Sequence, residues 1–274
     1  MGLNIALAGC GAMGSALLKG WLTLEDSKAR FKSFWVINPH REKVDPFLKD
    51  SRVQWFSAPS EFPQTPDIIV FAVKPNLLAE ILPLYKSFES LFISVVTGKS
   101  LDFFANLLSS SRAVVRTMPN TPVSIHQGVI GLLANAQVTT SQKERVEICF
   151  NPLGFCTWVN SDEDIDKLTA ISGSGPAYVF YMIEAFAQGA ESLGFTKEVA
   201  LSLALYTFWG ASTYARDSFE ENTIPPEVLR QRVTSPQGTT APGLKALENG
   251  KLPQLMERAM IAAYTRAREL ADER

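Results

Sequence analysis

The sequence predicts an α/β fold in two parts. Residues 1–160 read as an N-terminal Rossmann-type, doubly wound parallel sheet that binds a dinucleotide, and residues 161–274 as an all-α substrate-binding and dimerisation domain. Three observations carry this. Short apolar runs alternate with helix-period stretches through the first half, the pattern of a parallel sheet covered on both faces. A glycine loop, Gly9-Cys10-Gly11-Ala12-Met13-Gly14, stands between the first apolar run and the first helical stretch. Around Phe155–Asn160 the pattern changes, and long helix-period stretches follow.

Taken in order, Asn4–Ala8 is a short apolar strand, and Ala12–Leu24 is a helix with Met13, Leu17 and Trp21 on its apolar face. Further strands are expected at Phe34–Ile37, Val53–Phe56, Ile68–Val73, Leu91–Val96 and Ala113–Arg116. Ile68–Val73 is apolar throughout, as a strand buried on both faces must be. Helices are expected at Leu77–Phe88 and Leu101–Leu108, then at Pro176–Leu193, Val199–Asp217, Pro226–Arg232, Leu244–Glu248 and Leu252–Arg274. Ala177–Gly189 and Leu201–Tyr214 are apolar on nearly all sides, which suits burial against another chain. A homodimer through interlocked C-terminal helices is therefore expected.

The net charge of −2 offers no electrostatic case for nucleic acid or an anionic membrane. No apolar run is long enough to cross a bilayer, and the opening residues lack a basic segment followed by an apolar one. Met1-Gly2 does not start a myristoylation signal, because Ala6 stands where Ser or Thr is needed. Cys10, Cys149 and Cys156 are odd in number and lack metal-ligand spacing. The expectation is a cytoplasmic protein with a small-molecule substrate and no metal.

The glycine loop carries the cofactor reading. Gly9 permits a tight turn, Gly11 lets a pyrophosphate approach the backbone, and Gly14 lets the helix pack on the strand. Gly9, Gly11, Ala12, Met13 and Gly14 are the cofactor-binding candidates there, and Cys10 is given no redox role. The second strand runs into Asn38-Pro39-His40-Arg41 with no carboxylate at its tip, and Glu42 comes one residue too late to bind a ribose. Arg41 can pair with a 2′-phosphate, so NADP(H) is favoured over NAD(H); the bland alternative is an exposed loop arginine. Ala72-Val73-Lys74-Pro75 ends a strand where open sheets bind ligands. Between Pro119 and Pro122, Asn120 sits in a stiff loop where its amide could meet a nicotinamide or substrate.

Val233–Thr240, VTSPQGTT, is rich in hydroxyls and small residues around Pro236, which suits a small anion; the bland alternative is an ordinary turn. Ser172-Gly173-Ser174-Gly175-Pro176 reads as a close-approach helix start or a capped joint. Acid–base residues are scarce. His40 and His126 have no partners at metal-binding spacing. No nucleophile elbow is present. A hydroxy-acid dehydrogenase would need a lysine followed four positions later by Asn, but Ile171 follows Lys167 and Leu201 follows Lys197. A nicotinamide enzyme of this kind points to a substrate that is easy to reduce, such as a protonated C=N bond.

The ordered set GCGAMG, AVKP, PNTP, SGSGPAY and VTSPQGTT resembles the pyrroline-5-carboxylate reductase family over essentially the whole chain. The resemblance implies reduction of 1-pyrroline-5-carboxylate to L-proline by NAD(P)H, the last step of proline biosynthesis. It also implies a Rossmann domain and a helical domain that interlocks into dimers, sometimes within larger rings. By position, it places the backbone N–H groups of Gly238 and Thr239 on the substrate carboxylate, with Ser235 shaping that loop. Thr240 is the catalytic candidate, its hydroxyl facing the ring nitrogen. Asp162 stands near a family glutamate and is counted with the substrate residues. Val96, Thr97 and Asn120 fall on the nicotinamide side, and Asn38 and Arg41 at the adenosine end. The chain departs from the family at Gln237, Arg232, Asp162, Pro59 and Val95-Val96-Thr97, which bears on cofactor preference and efficiency. A positive φ at position 237 would be unfavourable for Gln. The alternatives are a reductase of another cyclic imine and a non-catalytic NADP-binding dimer.

Overall fold

The computed structural model describes residues 2–272. The sheet-forming part contains β1 (Leu3–Ala8), α1 (Ala12–Leu22), α2 (Ser27–Arg30), β2 (Phe31–Ile37), β3 (Val53–Phe56), β4 (Ile68–Phe71) and α3 (Leu78–Ile81). It continues through β5 (Leu91–Ser94), α4 (Leu101–Leu107), β6 (Val114–Met118), β7 (Gly128–Ala134), α5 (Thr140–Phe150), β8 (Gly154–Trp158) and α6 (Asp162–Leu168). The helical part contains α7 (Gly175–Ser192), α8 (Lys197–Asn222), α9 (Pro226–Arg232), α10 (Thr240–Asn249) and α11 (Leu252–Asp272).

The strands form one eight-stranded sheet in the order β3-β2-β1-β4-β5-β6-β7-β8. Neighbours are parallel except β6 and β7. The strand order reverses beside β1, so the crevice for a ligand lies at the carboxyl ends of β1 and β4. This is the Rossmann-type arrangement that the alternating pattern predicts.

Several elements depart from the expected pattern. β7, GVIGLLA, carries two glycines that interrupt its apolar signal, and β8 falls where the pattern was read as a transition. α5, TSQKERVEICF, is too polar to show a helix period, yet it begins with a Thr139–Gln142 capping box that marks its start in the sequence. α6 opens with three acidic residues, capped by Ser161, where the expected domain boundary lay. The single helix expected over Leu77–Phe88 is instead a 3₁₀ turn, the one-turn α3 and a second 3₁₀ turn, because Pro83 cannot continue an α-helix. β4 and β5 also end earlier than expected, at Phe71 and Ser94, since the residues that follow leave the sheet to form loops on its carboxyl edge.

One core lies around α1. Trp21 is fully buried, stacks on Phe34 at 5.9 Å and meets Phe150 edge-on at 6.2 Å. Its indole N–H donates to the Cys149 carbonyl at 2.8 Å, which satisfies the polar end of an otherwise apolar ring. On the other face, Phe71, Tyr85, Phe92 and Phe104 form a second aromatic cluster.

The chain divides into two compact units. The first runs to Ser174 and takes up the chain again from Ala262, and the second is Gly175–Ile261. The boundary thus falls after the turn that follows α6, where the sequence placed it at 160. In the second unit, α7 and α8 meet through Ala187, Ala190, Ala200 and Ala204, with Phe186 edge-on to Phe208 at 5.8 Å. Phe180, Tyr181, Leu205, Tyr206 and Trp209 are exposed. No described helix is long and apolar enough to cross a membrane.

Trp21→Ala should lower the unfolding free energy by about 3–5 kcal/mol in urea titrations followed by circular dichroism. A loss well below that range would show that the aromatic cluster does not hold α1 to the sheet.

Candidate active site

The glycine loop shapes the carboxyl edge of the sheet. Gly9 has φ +100°, and its N–H donates to the Ile37 carbonyl at 2.8 Å. A Cβ there would lie 2.5 Å from the Ala72 carbonyl oxygen, so only glycine lets the ends of β1 and β4 come together. A Cβ on Gly14 would lie 2.2 Å from the Gly9 oxygen, which seats the start of α1 directly on the turn. Gly11 is different: a Cβ there would meet no atom within 4 Å. Gly11 and Ala12 are exposed, and no side chain caps the N-terminus of α1. The first turn of α1 therefore offers an open cradle of backbone donors suited to a diphosphate. Met13 is half-buried and packs on the core beside Ala72. Burial pushes the Cys10 thiol up to about 11, so it is protonated at neutral pH.

Asn38 connects this turn to the next loop. Its Oδ1 accepts from the Cys10 N–H at 3.2 Å, and its Nδ2 donates to the His40 carbonyl at 2.7 Å. The amide expected at the adenosine end thus serves as a brace within the protein. Arg41 begins a one-turn 3₁₀ helix, and its side chain is exposed. Its guanidinium carbon lies 5.3 Å from the centre of the Trp55 ring, and its Nε is 3.5 Å from Asp45. Glu42 faces His40 at 3.3 Å rather than the glycine loop.

Beyond β4, the Ala72 N–H donates to the Ala8 carbonyl at 2.8 Å, and Val73 is half-buried. Lys74 and Pro75 are exposed at the start of a 3₁₀ turn. Beyond β5, the buried Val96 donates its N–H to the Ser94 hydroxyl at 3.2 Å, and Thr97 is half-buried in the turn that follows.

Two residues expected to touch ligand also have partners within the protein. Asn120 is 7% exposed; its Oδ1 accepts from the Val129 N–H at 2.9 Å and its Nδ2 donates to the Ser172 carbonyl at 3.0 Å. Each end of the amide has a partner in the protein, so it ties the β6 loop to β7 and to the π-helical turn Thr169–Gly173. Asp162 is ion-paired with Arg116 and also accepts from the Leu101 N–H at 3.3 Å. The Arg116 side chain is almost entirely buried in the sheet, with Asp166 4.0 Å away, and a buried guanidinium requires such counter-charge. An arginine inside the apolar run Ala113–Met118 is the one sequence signal for this cluster.

The hydroxyl-rich turn belongs to the second unit. The Thr234 hydroxyl donates to the Arg230 carbonyl at 2.6 Å, closing off α9. The Gly238 N–H donates to the Ser235 carbonyl at 3.0 Å, so this N–H, expected on the substrate carboxylate, is used within the turn. A Cβ at Gly238 would lie 2.3 Å from the Ser235 hydroxyl, so a larger residue there would have to turn that hydroxyl aside. Thr239 caps α10 through its backbone position and Thr240 is the first helical residue. Both are exposed, and no side chain caps the helix. Gln237 is not among the described residues with positive φ, so the departure from glycine there carries no left-handed strain.

Residues 162–270 match the family described as pyrroline-5-carboxylate reductase dimerisation, and residues 4–98 that described as NADP oxidoreductase, coenzyme F420-dependent. The pyrroline-5-carboxylate reductase of Pseudomonas aeruginosa is 33% identical over 98% of this chain and 97% of that protein. A solved pyrroline-5-carboxylate reductase from Coxiella burnetii superposes with a TM-score of 0.88 at 34% identity, covering 99% of each chain. The Plasmodium falciparum pyrroline carboxylate reductase with NADP bound gives a TM-score of 0.84 at 28% identity, covering 98% of each. With this likeness along the whole of both chains, on a sheet that carries the glycine cradle and a helical unit that carries the hydroxyl-rich turn, the chain belongs to the pyrroline-5-carboxylate reductase family.

Proposed function

We propose that this protein reduces 1-pyrroline-5-carboxylate to L-proline with NAD(P)H, as a cytoplasmic homodimer. The observation that carries the reading is the VTSPQGTT turn at the uncapped start of α10, in a chain of this family. Such a helix start favours a carboxylate, and hydroxyls stand beside it.

The residues fit a nicotinamide dinucleotide. The α1 cradle at Gly11, Ala12 and Met13 suits the diphosphate, on the turn set by Gly9 and Gly14. Arg41 supplies a cation at the tip of β2 for a 2′-phosphate, and this is the basis for preferring NADP(H). Ala72, Val73, Lys74, Pro75, Val96 and Thr97 supply the remaining wall. When bound, the cofactor supplies the hydride; the protein's share is orientation and exclusion of water.

For the substrate, the N–H groups of Thr239 and Thr240 hold the carboxylate, and Ser235 supports the turn beneath Gly238. The Thr240 hydroxyl orients the ring nitrogen by a hydrogen bond. A threonine is too weak an acid to be the proton's main source, so the iminium arrives protonated or is protonated through water. The exposed apolar side chains of α7 and α8 are the dimer surface in this reading.

Purified protein should oxidise NADPH in the presence of 1-pyrroline-5-carboxylate and release proline. Bound NADPH without turnover would overturn the assignment. Thr240→Ala should lower kcat by about 10- to 100-fold while leaving the NADPH Kd within about twofold. Unchanged kcat would remove the hydroxyl from the mechanism. Arg41→Ala should weaken NADPH roughly tenfold relative to NADH. An unchanged ratio would place the phosphate elsewhere.

A further inference from the structure

We infer that Trp55 is a positioning residue that sets the preference for a 2′-phosphate by holding Arg41 in place. The inference rests on the NADP(H) reading above and assigns a role to a residue outside the glycine loop and outside the β2 loop.

The argument begins with Arg41 itself. An exposed arginine on a short loop samples many rotamers, and each hydrogen bond it makes to a phosphate must overcome that freedom. Here its guanidinium lies over the Trp55 ring, with 5.3 Å between the guanidinium carbon and the ring centre. Trp55 is opposite Val36 in the β2–β3 register, half-buried against the core around α1. Its indole N–H donates to the Asn38 carbonyl at 3.0 Å. Asn38 in turn braces the Cys10 N–H of the glycine loop. The ring is therefore linked through one residue to the turn that would hold the diphosphate.

The chemistry of the support matters as much as its position. A ring face attracts a cation while leaving the N–H edges of the guanidinium free to donate. A carboxylate partner would occupy those edges and cancel the charge. The nearest one, Asp45, stands 3.5 Å from Nε, longer than a good charged hydrogen bond. Glu42 faces His40. Arg41 is thus held by the ring face and by an exposed ion pair through Nε, and an exposed pair at that distance offsets its charge only weakly. A cofactor with a free 2′-hydroxyl gains little from this arrangement, and one with a 2′-phosphate gains from both charge and orientation.

The test is calorimetric titration with NADPH and with NADH of the wild type, Trp55→Leu, Trp55→Phe, Arg41→Ala and the Arg41→Ala/Trp55→Leu double variant. Trp55→Leu should weaken NADPH by about two- to fivefold, as expected for an exposed cation–ring contact, with NADH nearly unchanged. In the Arg41→Ala background the same change should leave the NADPH/NADH ratio where it is. Equal weakening of both cofactors, or an unchanged ratio, would make Trp55 merely structural and overturn the inference. So would an equal effect with and without Arg41. Should Trp55→Leu fail to fold, Trp55→Phe decides: a smaller loss in the same direction supports the role, and a wild-type ratio overturns it. Binding is read without turnover, so a failure to reduce the imine leaves this result standing. A failure to bind either dinucleotide overturns the cofactor reading and the inference together.

Discussion

The contact between the Gly9 turn and the end of β4 is the constraint on which the sheet part depends. A side chain at Gly9 or Gly14 would occupy space already held by the Ala72 and Gly9 carbonyls. With that space left empty, β1 and β4 approach at the point where the strand order reverses, and α1 starts directly on the turn. The side of Gly11 stays open beside this tightly packed corner. The aromatic packing of Trp21 against Phe34 and Phe150 anchors the last turn of α1, while Gly14 seats its first turn on the Gly9 carbonyl.

Several polar side chains of the sheet part act as braces. Asn38, Asn120 and Asp162 each make hydrogen bonds that hold one loop to another. For the buried Asn38 and Asn120 this is necessary, because an amide removed from water must find partners inside the protein, while the partly exposed Asp162 answers the buried charge of Arg116. The groups that the proposed reading gives to ligands are of another kind: helix-start N–H groups at α1 and α10, exposed hydroxyls, and the guanidinium of Arg41. Orientation is thus built into the backbone, which suits a reaction whose chemistry the cofactor carries.

The helical unit shows the opposite distribution of side-chain size. Alanines lie between α7 and α8, and large aromatic and aliphatic side chains point outward. Small residues permit close helix packing, while the exposed rings give this unit an apolar outer surface. This division accounts for the apolar character of Ala177–Gly189 and Leu201–Tyr214 seen in the sequence.

Local pattern sufficed for much of this protein. The glycine spacing, the strand–helix alternation, the Pro226–Arg232 helix and the hydroxyl-rich turn are all readable along the chain, because each depends on neighbours within a few residues. β7 and α5 escaped for the same reason in reverse, since glycines and charged residues blur their periods. Only the tertiary structure decided which polar groups are free. Nothing near Asn120 in the sequence says that Val129 and Ser172 will take its amide, or that Asp162 at the start of α6 will answer Arg116. Nor does sequence spacing bring Trp55 beneath Arg41. Those pairings come from strand order and burial, which join residues far apart in the chain, so sequence alone determined the scaffold and the family while the folded core determined the duties of its polar side chains.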